Sequence, residues 1–153
     1  MTRAAWFHCF SGIAGDMALG ALIDAGADVD EVRDLLVRLP IDGWSLTAET
    51  TLRGGIAATD VRVQATENHH HRRAADILAM VDAAGFPDRL ARRARATFEA
   101  LAAVEGRLHG VPPANVHFHE VGAVDSIVDV VGTCAALELL NVDEVRSSAV
   151  ALG

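Results

Sequence analysis

The sequence predicts an α+β domain in which helices pack on a small mixed or antiparallel sheet. Five stretches repeat apolar residues at helical spacing. Two alternating stretches, 44–52 and 56–65, flank Arg53-Gly54-Gly55, a pattern typical of a β-hairpin. Apolar runs at 4–10 and 144–152 have the composition of strands. A split βαβ (ferredoxin-like) arrangement is compatible with this order of elements.

The bounds of the elements follow from the residues that interrupt each apolar stretch. Gly26 and Pro40 close the first two helices, and Gly85 separates the next two. Pro87 suits a first helical turn, because its nitrogen needs no hydrogen bond there. The predicted elements are strand 4–10, helices 16–25 and 29–39, strands 44–52 and 56–65, helices 74–84 and 87–109, an extended piece 116–119, helix 122–140 and strand 144–152.

The composition restricts the class of partner. Apolar residues make up 51% of the 153 residues, which is enough for a packed core. The net charge of −8 argues against a nucleic-acid partner and suits a cation. Cys9 and Cys134 lie in apolar stretches and are interpreted as buried thiols in a reducing compartment. No apolar run reaches the roughly 18 residues of a membrane span. We therefore expect a cytoplasmic protein without a membrane partner.

Two predicted helices carry acids in apolar surroundings. Helix 122–140 is apolar almost all round, apart from a narrow seam that holds Asp125 and Asp129. Two carboxylates four residues apart repel each other, so burial favours a bound cation or an arginine. For Asp125, a ligand role and a structural role as a cap or ion-pair partner both remain open. Glu105 falls in the apolar stripe predicted for helix 87–109, which consists of Leu90, Ala94, Phe98, Leu101 and Leu108.

Histidines accompany these acids. His109 follows Glu105 by four residues, so both side chains can reach one ion, although a histidine also suits a helix C-terminus. His117 and His119 share one face of an extended segment, beside Glu120. Imidazole and carboxylate are ligands for nickel, zinc, copper and iron. The run that ends at His71 is either a loose metal-binding loop or an ordinary polar loop.

The segment 10–17 joins the first strand to the first helix. Gly12 and Gly15 free its backbone, and amides at a helix start can bind an anion. It is not a P-loop, because no Gly-Lys-Ser/Thr follows. Asp16 either caps the helix or faces the same site as the histidines.

Together these segments resemble the nickel insertion protein family. The resemblance covers the whole chain, and the run 117–132 is its most specific part. The matching runs read CFSGIAGDM over 9–17, His71-Arg72 with Asp76-Ile77, Glu105 with His109-Gly110, and HFHEVGAVDSIVDVVG over 117–132. His8 and Arg73 depart from the family pattern, which has an acid and a histidine there.

The resemblance implies a nickel chelatase that inserts Ni²⁺ into pyridinium-3,5-bisthiocarboxylic acid mononucleotide. The product is the nickel-pincer nucleotide cofactor of lactate racemase, and the reaction uses CTP with Mg²⁺ or Mn²⁺. It further implies that residues 1–153 form one amino-terminal domain. The CTP-binding part would then be a carboxy-terminal domain or second subunit, and the protein a homo-oligomer.

The resemblance also implies roles for the candidate residues. The implied metal ligands are His117, His119, Glu105, His109, His71 and Asp129. Glu120, Asp125 and Asp16 are the implied catalytic acids, and Ser11, Gly12 and Gly15 are the implied nucleotide-binding residues. Two alternatives remain, a non-catalytic nickel metallochaperone or store and a metal-dependent phosphate-ester hydrolase.

Overall fold

The computed structural model describes residues 1–66 and 72–151 and confirms the α+β class. All five predicted helices and the hairpin form. In chain order the elements are β1 (Ala4–Phe7), α1 (Gly15–Asp24), α2 (Val29–Leu36), β2 (Trp44–Arg53), β3 (Ile56–Ala65), β4 (Arg72–Arg73), α3 (Ala74–Ala83), α4 (Asp88–His109), a 3₁₀ turn (Pro113–Asn115), β5 (His117–Phe118), α5 (Val124–Leu139) and β6 (Glu144–Ser147).

The strands of the described residues form three separate pairs and not one ferredoxin-like sheet. β1 and β6 are parallel, with Ala4 opposite Glu144. β2 and β3 form an antiparallel hairpin around Gly54 and Gly55, both of which have positive φ. β4 pairs with β5. Local turn chemistry predicts the hairpin, whereas β1 and β6 are joined through most of the chain, and no local pattern specifies their pairing.

Helix α5 is the centre of the core, as its apolar circumference predicts. Nine of its residues are buried, and it contacts α1, α2, α4 and β3. Leu19 of α1 and Phe98 of α4 are fully buried in the same cluster. A helix packed on several sides keeps some of its polar groups partly out of water, and Asp129 is half-buried in this way.

The apolar stripe of α4 differs from the predicted one. Leu90, Ala94 and Phe98 are buried as expected, but the stripe continues through Ala102 and Gly106. Leu108 is 77% exposed and Leu101 is only half-buried. The 3₁₀ turn packs against α4 at Gly106, where a Cβ atom would lie 2.8 Å from the Val111 carbonyl oxygen. Glu105 therefore lies at the margin of the buried stripe.

The helix starts settle one open alternative and correct the position predicted for Pro87. Asp28 caps α2, accepting hydrogen bonds from the amides of Asp30 and Glu31. Asp16 does not cap α1, because Ala14 is the N-cap and the Asp16 carboxylate accepts from the Met17 amide at 2.8 Å. Pro87 is the N-cap of α4 and not part of its first turn.

Cys9 and Cys134 are buried free thiols, as predicted. Among the described helices, none has the length and apolar character to cross a membrane.

Candidate functional site

Two histidines meet where α4 ends and β5 leads into α5. His109 is the last residue of α4, and His119 follows β5 directly. Their ring centroids are 6.3 Å apart, with the rings edge to face. Two imidazoles bound to one ion have centroids roughly 4.5 to 6.5 Å apart, given metal–nitrogen distances of about 2 Å. The observed separation lies near the upper end of this range, so a shared ion would need the two imidazoles on nearly opposite sides of it.

β5 fixes the direction of the neighbouring histidine side chains. Phe118 is fully buried, whereas His117 and His119 on either side of it are exposed, as the predicted alternation requires. His117 pairs with Arg73 of β4. Hydrogen bonds from the Arg73 side chain lower the pKa of Asp76, and nearby His117 makes the smallest contribution to that shift. His117 thus lies near Asp76, and His119 near His109.

Glu105 lies one helical turn before His109. Its Oε2 atom is buried and has no hydrogen-bond partner. A buried carboxylate oxygen without a partner costs about 1 to 3 kcal/mol, and a bound proton or cation removes that cost. α4 and α5 run antiparallel, because Arg89 bonds Glu138 at 2.6 Å near the opposite ends of the two helices. Glu105 is therefore on the part of α4 that runs beside the start of α5.

The loop between β5 and α5 is held by backbone hydrogen bonds. The Glu120 carbonyl accepts from the Ala123 amide at 3.0 Å and from the Ser126 hydroxyl at 3.1 Å. Arg72 donates to the Gly122 carbonyl at 2.8 Å. Asp125 does not cap α5, whose N-cap is Ala123, and no ion pair within the described ranges joins it to an arginine. The Glu120 and Asp125 side chains are both exposed at this junction.

A second group of acids forms where α1 begins against α5. A Cβ atom on Gly15 would lie 2.7 Å from Asp129 Cβ, so the α1 backbone touches the Asp129 side chain. Burial raises the pKa of Asp129 to about 6, and the negative charges of Asp16 and Asp125 add to the rise. The backbone N–H of Asp16 offsets part of it. Asp129 Oδ1 is buried without a hydrogen-bond partner.

The predicted nucleotide-binding segment lies beside this second group. Gly12 has φ of +86° and donates its amide to the Cys9 carbonyl at 3.1 Å. The N-cap Ala14 has no side chain that accepts the first amides of α1. Ser11 is exposed. The nucleotide-binding role of Ser11, Gly12 and Gly15 stays a prediction.

The structure brings together only part of the predicted metal set. His109 lies beside His119, and Asp129 beside Asp16 and Asp125, whereas His71 is outside the described residues. Within residues 1–66 and 72–151, no group of three or more His, Cys, Asp or Glu side chains is close enough to hold a metal ion. The ligand assignments therefore stay predictions. Sequence reasoning missed the contact between Gly15 and Asp129, for which the small residue at 15 was the only available signal.

Comparison with known proteins identifies the family. Residues 5–153 match the sequence profile of the nickel insertion proteins. The chain belongs to the nickel insertion protein family. A member from Staphylococcus saprophyticus, named as a pyridinium-3,5-bisthiocarboxylic acid mononucleotide nickel insertion protein, is 44% identical over 153 residues. A relative from Roseiflexus castenholzii, also named for nickel insertion, is 47% identical over 153 residues.

Both alignments cover 100% of this chain and 39% of the relative. The chain therefore spans about two fifths of the length of these family members. A nickel insertion protein from Staphylococcus epidermidis, 40% identical, is covered to the same extent. Comparison with solved structures gave no match.

Proposed function

We propose that this chain is the nickel-binding part of a nickel chelatase. The substrate would be pyridinium-3,5-bisthiocarboxylic acid mononucleotide, and the product the nickel-pincer cofactor of lactate racemase. The observation that carries the proposal is the meeting of His109 and His119, with Glu105 one turn away, in a member of the nickel insertion family. CTP with Mg²⁺ or Mn²⁺ would bind in the part of the family that this chain does not span. Two unpaired thiols favour the cytoplasm as the location.

The ligand chemistry suits transfer of nickel to the substrate. Imidazole and carboxylate groups bind Ni²⁺. The two thiocarboxylate sulfurs of the substrate are softer ligands, to which the ion then moves. As the nickel–carbon bond forms, the electron pair of the ring C–H bond becomes the bonding pair, and the proton leaves to a base. No oxidant or reductant is needed, because the metal enters and remains as Ni²⁺. Glu120, Asp125 and Asp16 are the carboxylates we propose for that proton transfer.

Titration with Ni²⁺ tests the histidine pair. His109→Ala and His119→Ala are each expected to weaken Ni²⁺ binding by about tenfold or more, because each removes an imidazole from the same ion. Isothermal titration calorimetry measures the affinity directly. His8→Ala is the matched control, because His8 is also exposed but packs on Phe10, at a ring separation of 5.0 Å. It is expected to leave the affinity unchanged.

The remaining predicted ligands are tested in the same way. Ni²⁺ titration of the variants His117→Ala, His71→Ala and Glu105→Gln shows which of these side chains also binds the ion held by His109 and His119. An unchanged affinity for Ni²⁺ in both His109→Ala and His119→Ala would contradict the proposal that these histidines bind the ion. Several weakly held ions, with no insertion when CTP, substrate and the remaining part of the enzyme are supplied, would instead favour a nickel store.

A further inference from the structure

The β1–β6 pair is an incomplete sheet by itself. It consists of two parallel strands of four residues each. Parallel sheets are normally covered on both faces, and two strands alone are marginal in water. Within residues 1–66 and 72–151, no third strand pairs with β1 or β6. In such a pair half of the backbone N–H and C=O groups point away from the partner strand, so both outer edges offer hydrogen-bonding groups.

Apolar side chains surround these edges. Ala5 and Phe7 pack against the core, so Trp6 between them points to the other face of the sheet, where it is 63% exposed. Phe10, just after β1, is 73% exposed. The segment after β6 runs beside this part of the chain, with the Ala151 amide bonded to the Cys9 carbonyl at 3.2 Å.

We define the β1–β6 surface as the five exposed apolar residues in and beside the pair, which are Trp6, Phe10, Ile13, Val145 and Val150. Trp6 and Val145 lie on opposite faces of the pair, because Val145 is opposite Ala5, and paired residues of parallel strands point to the same face. Ile13 and Val145 line one groove of about 810 Å³ between α4, α5 and the start of α1. Gly15 and Asp129 line the same groove. Exposed apolar residues beside open strand edges are typical of an interaction site.

We propose that the β1–β6 surface binds the part of the nickel insertion proteins that this chain does not span. That part would add a strand to an edge of the β1–β6 pair and cover Trp6. Strand addition satisfies the outward backbone groups, and the apolar side chains supply the contact area. The chain spans 39% of its relatives, so about three fifths of their length remains to supply the strand. The proposal rests on the proposed function, because it names the surface through which the two parts of the chelatase meet.

Binding at this surface has a consequence for the acidic group at α1. Val145 and Asp129 both line the groove. A segment seated on β6 therefore extends toward Asp129 and the start of α1. The CTP-binding part of the enzyme would then face Asp16, one of the acids that we propose for proton transfer.

The experiment mixes this chain with the remaining part of the Staphylococcus saprophyticus relative, made as a separate polypeptide. Calorimetry is expected to show a one-to-one complex. Hydrogen exchange at the amides of 4–7 and 144–147 is expected to slow by about tenfold or more. Trp6→Ser and Val145→Ser should each weaken binding by about tenfold or more. Val37→Ser is the matched control, because Val37 is 67% exposed at the C-cap of α2, outside the β1–β6 surface, and it should bind like the wild type.

Two results would overturn the proposal. One is the absence of a complex, or a complex equally strong in all three variants. The other is a dimer of this chain, detected by sedimentation, that dissociates in Trp6→Ser and Val145→Ser. The β1–β6 surface would then be the contact between two copies of this chain. Nickel titration of the same variants separates this proposal from the proposed function. Trp6→Ser is expected to bind Ni²⁺ like the wild type whether or not the complex forms.

Discussion

Replacing Gly20 by alanine is expected to lower the free energy of unfolding by about 2 kcal/mol. Gly20 is buried in the middle of α1, where the helix crosses β3. A Cβ atom at this position would lie 2.5 Å from the Thr59 carbonyl oxygen. That oxygen belongs to the backbone of β3, which cannot rotate away as a side chain can. The helix and the hairpin would have to separate.

Helix propensity alone predicts the opposite sign for this change. Alanine is favoured over glycine inside a helix by about 1 kcal/mol. A measured loss of stability in Gly20→Ala would therefore report the contact between α1 and β3 and not the helix itself. Urea denaturation of the purified variant gives the free energy of unfolding.

Gly132→Ala is the matched control for Gly20→Ala. Gly132 is also a buried helical glycine, but its Cβ atom would meet the Cδ2 methyl of Leu19 at 2.9 Å. The end of a leucine side chain can move by a small rotation, so Gly132→Ala is expected to change stability by less than about 1 kcal/mol. Equal losses in the two variants would contradict the proposed cause. A gain in Gly20→Ala would show that the hairpin gives way easily.

The parts of the fold that are set locally could be predicted from the sequence. The apolar circumference of α5 predicts that it lies in the core, and Gly54-Gly55 predicts the hairpin. Glu105 was recognised because a carboxylate in an apolar stripe needs a partner, and its buried Oε2 agrees with that reasoning. Leu108 was assigned to the wrong side of α4. Leu108 has the helical spacing of the predicted apolar stripe. The 3₁₀ turn, however, packs on the side of α4 that contains Gly106, and Leu108 stays exposed.

The parts that depend on contacts between distant segments could not be predicted. The pairing of β1 with β6 joins residues at the two ends of the chain. The approach of Gly15 to Asp129 depends on how α1 packs on α5, which no periodicity specifies. His109 and His119 were placed in one metal-ligand set on the resemblance, and no periodicity specifies the contact between them. Their spacing of ten residues in sequence suggests no contact, and the turn at 110–116 brings them together.

Replacing Asp129 by asparagine is expected to stabilise the protein at pH 7. The pKa of Asp129 is raised from 3.8 to about 6, chiefly by burial. An acid whose pKa is raised by folding binds its proton more tightly in the native state, so stability falls as pH rises from about 4 through 6. A shift of that size corresponds to at most about 3 kcal/mol, and partial exposure of the carboxylate reduces the expected gain to about 1 to 2 kcal/mol.

Urea denaturation between pH 4 and pH 7 measures this effect. Most of the gain in Asp129→Asn should disappear at pH 4, where the native carboxyl of the wild type is already protonated. Asp34→Asn, at an exposed position of α2, is the control for the removal of one surface carboxylate. Lower stability of Asp129→Asn at pH 7 would contradict the prediction.

A carboxylate that weakens the fold at neutral pH, where an amide of the same shape would not, fits a residue kept for binding a cation or accepting a proton. Added Ni²⁺ should then stabilise the wild type more than Asp129→Asn.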